Sequence, residues 1–141
     1  MKYKKVLIAY ENKNNDYETL KHAMDITERN NGSLTLIHIN SNHAGYPSRT
    51  MRTFEHAFTK EELQDCVRKI PHDVPVDIEL VKTDYFLDTI VEKSKDYDLL
   101  VMGHRHANFF ESLFGDSLDN KVINNVDCDV LIVKQRSLNA E

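Results

Sequence analysis

Short apolar runs and longer amphipathic stretches take turns along the chain. Residues 3–10 hold the unbroken run Val6-Leu7-Ile8-Ala9, as expected of a strand covered on both faces. The period then becomes helical, with Tyr17, Leu20, Ala23, Met24 and Thr27 along one face. Asp16 is placed to cap that helix, and Glu18 lies in the first turn, where negative charge is favoured. Asn31-Gly32 predicts the helix end, with the glycine taking the left-handed conformation. Leu34–Ile39 reads as a second strand and completes one βαβ unit.

Residues 40–50, with Gly45 and Pro47, predict a loop. Helical spacing of Met51, Phe54, Phe58, Leu63, Cys66, Val67 and Ile70 predicts a helix from about Thr50 to Lys69, closed off by Pro71 and Pro75. Val76, Ile78 and Leu80 alternate with Asp77 and Glu79, the pattern of a half-exposed edge strand. Asp84 is placed to cap a helix carrying Phe86, Leu87, Ile90 and Val91. Leu99–Met102 is a short apolar strand that ends at Gly103. In the weakly helical segment 104–116, Phe109, Phe110, Leu113 and Phe114 would share one face and pack in the core. Asp116 or Ser117 can cap a last helix running to about Asn125, and Val130–Val133 is a fifth strand. No repeat, low-complexity tract or linker interrupts the series, so residues 1–141 read as one domain.

Strands alternating with helices imply an α/β fold with parallel pairing and right-handed crossovers. Ligands of such open sheets lie beyond the carboxyl ends of the strands, where the chain order reverses. The ends of the first and fourth strands are the places to look. The last strand is apolar on both faces. If it lies at a sheet edge, pairing with a second copy across a two-fold axis would cover it. A homodimer through residues 129–134 is therefore a physical expectation.

Composition narrows the function. Hydrophobic residues make up 40% and charged residues 29% of the 141, a globular balance. The net charge of −5 argues against binding nucleic-acid backbone or an anionic membrane surface. The basic N-terminus precedes only about five apolar residues before Glu11, which suits a strand and not a signal peptide. Nothing approaches the roughly 20 apolar residues of a membrane span. Cys66 and Cys128 lack metal-ligand or redox spacing, so both read as small hydrophobes in a reducing cytoplasm.

Two strand ends carry the candidate chemistry. One is Ala9-Tyr10-Glu11. The other is Val101-Met102-Gly103-His104-Arg105-His106, followed after nine residues by Asp116-Ser117. Around them stand Lys4-Lys5-Val6-Leu7-Ile8-Ala9, Leu36-Ile37-His38-Ile39, Asp98-Leu99-Leu100-Val101-Met102-Gly103, Lys121-Val122-Ile123 and Cys128-Asp129-Val130-Leu131-Ile132-Val133. In their order and spacing these segments resemble the universal stress protein family over nearly the whole chain. The resemblance implies a Rossmann-like open five-stranded parallel sheet in the order 3-2-1-4-5, with helices on both faces. It also implies a cytoplasmic stress-response protein with no assigned reaction. Dimerisation through the last strand would use Asp129, Val130, Leu131, Ile132, Val133 and Lys134.

Nucleotide-binding members of that family carry an aspartate after the first strand and a G-x2-G-x9-G-[ST] loop after the fourth. Glycines let backbone N–H groups approach phosphates, and the next helix presents its positive end. The first glycine matches Gly103 and the last position Ser117, but His106 and Asp116 replace the other glycines and Glu11 the aspartate. A nucleotide held there would meet Ala9, Glu11, Ile39, Met102, Gly103, His106, Gly115, Asp116 and Ser117. Asp116 puts a carboxylate where phosphate charge would lie. Two like charges about 4 Å apart cost roughly 1 kcal/mol in water and about 4 kcal/mol at an effective dielectric near 20. The larger cost equals about three orders of magnitude in affinity. Gly115 could restore the cradle by a one-residue shift, and His104, Arg105 and His106 could add positive charge. The resemblance is closer to A-type members that work without nucleotide.

The expectation is a non-enzymatic module with no catalytic residue, no metal and no required cofactor, acting on unknown protein partners. The alternative is an ATP- or AMP-binding switch or slow ATPase. His38, His104 and His106 are read as strand and loop residues, since spacing places no metal set. Cys128 has no evident base that would make it a nucleophile. A phosphoacceptor domain would need clustered carboxylates at its strand ends, and only Glu11 and Asp84 are offered.

Overall fold

A computed structural model of the chain describes residues 2–11, 16–46, 56–103 and 118–134, with the side chains of 118–120 left aside. Its strands are β1 (Lys5–Ala9), β2 (Ser33–Asn40), β3 (Val76–Lys82), β4 (Leu99–Gly103) and β5 (Asp129–Val133). Its helices are α1 (Tyr17–Arg29), α2 (Lys60–Arg68), α3 (Phe86–Ser94) and α4 (Leu118–Asn125). The sheet runs β3-β2-β1-β4-β5 and every pairing is parallel.

Val6–Ala9 of β1 and all of β4 are apolar because both of their faces are covered. Val6 and Ile8 of β1 pack with Leu20, Ala23 and Met24 of α1 and with Leu63, Cys66 and Val67 of α2. Leu7 and Ala9 point the other way, toward Ile90 of α3 and Val122 of α4. Val6, Leu7, Ile8, Leu100 and Met102 are fully buried. Each such aliphatic side chain stabilises the fold by about 1.5–3 kcal/mol relative to exposure. Asp98 stitches the opposite end of the sheet, where its Oδ2 accepts the N–H groups of Lys4 and Lys5.

Local chemistry differs from the sequence expectation at three places. The left-handed residue after α1 is Asn31, with φ of 52°, and not Gly32. Gly32 is required for a different reason. A Cβ there would lie 2.5 Å from the Lys4 carbonyl oxygen, so a side chain has no room beside β1. The second helix starts at Lys60, and residues 56–59 are not helical. Thr59 sets that start through a capping box, accepting from the Glu62 N–H while Glu62 accepts from the Thr59 N–H. Third, Tyr85 and not Asp84 occupies the cap of α3. The Asp84 carboxylate instead accepts from the backbone N–H and side-chain amide of Asn42 at 2.8 and 3.0 Å. Those bonds hold its acid below the usual range, the backbone bond contributing most.

Candidate functional site

The expected crevice lies where β1, β2 and β4 end. Register pairs Ala9 with Ile37 on one side and with Met102 on the other. Ala9, Met102 and half-buried Ile39 share the face covered by α3 and α4. Gly103 follows, buried, and pairs with Val133. Of the expected nucleotide-contacting residues, Ala9, Ile39 and Met102 converge on one apolar surface. Glu11 sits at the end of β1 with its side chain exposed. His106, Gly115, Asp116 and Ser117, together with His104 and Arg105, lie outside the described residues.

At the start of α1 a carboxyl side chain is buried. Asp16 is 1% exposed, and its Oδ2 accepts the Glu11 N–H at 2.7 Å. It stands at the N-cap position of α1 but makes no side-chain bond to the helix's own N–H groups. Asp16 and Glu18 thus place acidic side chains at the positive end of α1.

On the other face, Tyr10 continues the ladder through its N–H to the Ile37 carbonyl at 2.9 Å. Burial raises its phenol far above the ordinary value, and a hydrogen bond with Cys66 adds to the effect. Beside it, His38 is 5% exposed. Its Nδ1 lies 2.7 Å from the Tyr10 carbonyl oxygen and its Nε2 3.0 Å from Oδ1 of Asn40. Asn40 in turn clasps the Phe58 backbone, donating to its carbonyl at 3.0 Å and accepting its N–H at 3.1 Å. The His38 and Phe58 rings meet at 4.5 Å. Sequence reading missed this cluster. The available signal was a histidine on the inward phase of a strand that is otherwise apolar there, since a buried polar group needs a partner.

At the far edge, Asp129 and Lys134 are exposed, Val130, Leu131 and Ile132 are half-exposed, and Val133 is buried. The Asp129 carboxylate accepts from the Tyr3 hydroxyl at 2.8 Å and meets Lys2 at 3.0 Å. These contacts, the Tyr3 bond first, hold its acid below the usual range. Burial raises the Cys128 thiol, which works against thiolate chemistry. Among the described residues no group of three or more His, Cys, Asp or Glu side chains is placed to hold a metal ion. Nor does any helix among them have the length and apolarity to cross a membrane.

Comparison with known proteins agrees with this architecture. A sequence model described as "Universal stress protein family" matches residues 2–134. A universal stress protein A homolog of Pasteurella multocida is 27% identical over 141 residues, covering 95% of this chain and 98% of that protein. A universal stress protein of Methanocaldococcus jannaschii is 28% identical, covering 94% of this chain and 83% of that protein. Among solved structures, a universal stress protein in complex with cAMP superposes with a TM-score of 0.64 at 18% identity, covering 94% of this chain and 98% of that one.

Proposed function

The chain belongs to the universal stress protein family, and from that premise we propose that it is a non-enzymatic, cytoplasmic stress-response module. It works as a homodimer joined through β5 and through contacts with protein partners, with weak nucleotide binding or none. The observation that supports this most is the character of β5. It is a sheet edge whose outer side pairs with no described strand, and Val130, Leu131 and Ile132 remain half-exposed along it. An apolar edge of this kind invites another strand. Light scattering on a sizing column tests the reading. Wild type should elute at twice the chain mass and Leu131→Asp at the chain mass, with circular dichroism checking that the variant is folded. An unchanged dimer would reject the β5 interface.

A second reading is favoured by one observation, the cAMP complex formed by a structural neighbour. Here Ala9 and Met102 are buried at the strand ends and Ile39 is half-buried beside them, while the phosphate side of this reading depends on His106 and Asp116. Calorimetric titration with ATP and Mg²⁺, ADP and AMP separates the two readings. The first requires little or no heat, and gain of ATP binding on His106→Gly with Asp116→Gly. Micromolar ATP binding by wild type would establish the second.

A further inference from the structure

His38 faces two hydrogen-bond acceptors at once. The Tyr10 carbonyl oxygen, 2.7 Å from Nδ1, can only accept. The other partner is Oδ1 of Asn40, 3.0 Å from Nε2. That amide cannot be turned around, because the Phe58 backbone reads both of its ends. Flipping it would set the Phe58 N–H against an NH₂ group and the Phe58 carbonyl against an oxygen. A neutral imidazole has one N–H and so satisfies one of the two acceptors, whereas the imidazolium satisfies both. The ring also packs against Phe58, with centroids 4.5 Å apart and the planes tilted by 58°.

We propose that His38 is a proton-operated latch. Charged, it bonds the end of β1 and Asn40 together, and Asn40 holds the Phe58 strap against the sheet. Neutral, it turns a ring lone pair toward an acceptor, and the strap at residues 56–59 loosens. The strap ends the connection that leaves β2 at Ser41, whose first part is anchored separately by Asn42 and Asp84. Proton loss therefore loosens the Phe58 end of that connection, on the α1/α2 face of the sheet, and leaves its Asn42 end fixed.

The described titratable groups on the neighbouring elements are few, and on β3 the exposed Lys82, in register with Asn40, is the one like charge among those named here. On β1 are the Tyr10 phenol, engaged with Cys66 of α2, and Glu11, whose side chain is exposed. Asp16 acts electrostatically on Tyr10 from the start of α1. The strap and α2 contribute His56 and Glu62, paired at 2.6 Å. The latch is independent of the dimer reading, since β1 and β4 separate β2 from β5.

Amide hydrogen exchange at Phe58, corrected for intrinsic pH dependence and referenced to a β1 core amide, tests the latch between about pH 5 and 8.5. Wild-type protection should fall about tenfold as pH rises, the equivalent of one lost buried hydrogen bond. His38→Gln should flatten the dependence, and His38→Phe provides a second non-titrating variant should the first not fold. His56→Ala should keep the dependence, which separates the latch from the exposed His56–Glu62 pair. A flat wild-type profile would overturn the proposal. So would a dependence that survives loss of His38 and vanishes with His56.

Discussion

The two edges of the sheet, β3 and β5, solve the same problem in different ways. An edge strand exposes unpaired backbone groups that can recruit other chains. On β3, Asp77, Glu79 and Lys82 interrupt the apolar positions. Glu79 points toward α3 and pairs with Lys93 at 2.6 Å, so separating the strand from its helix leaves a charge without its partner. β5 has one acidic residue, Asp129 at its start, already engaged by Tyr3 and Lys2. From Val130 to Val133 it carries no charge. Among the described residues one edge carries charged side chains and the other pairs with no further strand, which is why the proposal places self-association at β5.

Placing a charge on the open edge should have the largest effect. Leu131→Asp would bury an unpaired carboxylate at the proposed interface, costing about 3 kcal/mol or more, a roughly 100-fold loss of association. Sedimentation velocity across a dilution series measures it directly. The converse change unblocks β3. Glu79→Val with Asp77→Thr should add concentration-dependent species larger than a dimer, because each molecule would then have two adhesive edges. Light scattering that stays at the wild-type mass would show that charge is not what protects β3.

Smaller effects separate the contacts within each edge. Lys93→Ala removes the partner of Glu79 and should cost about 0.5–1 kcal/mol in urea unfolding, given the partial exposure of both groups. The Glu79 bond holds the Lys93 ammonium above its ordinary 10.5. Its stabilisation is therefore complete below that value and is lost as pH rises through the folded one. At Asp129 the sign is opposite. Its acid is held below the ordinary 3.8, so the contribution is present above that value and disappears as pH falls through the folded one. Carbon-detected titration of Asp129 should give a midpoint below 3.8 in wild type and a return toward it in Lys2→Ala with Tyr3→Phe.

The sheet was legible because burial on both faces writes continuous apolar runs, and the charged alternation of Val76–Val81 announced an edge. Caps were less legible. Asp16 and Asp84 have the residue type of helix caps, but each carboxylate is used by a backbone N–H of another segment, Glu11 or Asn42. Sequence spacing does not reveal which donor a short acidic side chain will meet. Helical spacing also continued upstream of α2, where the Thr59–Glu62 box overrides it. Ala9, Ile39 and Met102, expected from the family resemblance to meet a nucleotide, lie on one face of the sheet. The His38–Asn40–Phe58 clasp was not expected, because it joins residues 18 positions apart through a backbone amide.

Isotope-filtered NOE spectroscopy on a mixture of labelled and unlabelled chains tests the open edge most directly. The account predicts intermolecular contacts confined to residues 129–134, with Val130, Leu131 and Ile132 meeting their counterparts across a two-fold axis. Intermolecular contacts centred on β3, or none at concentrations where the protein is used, would contradict it.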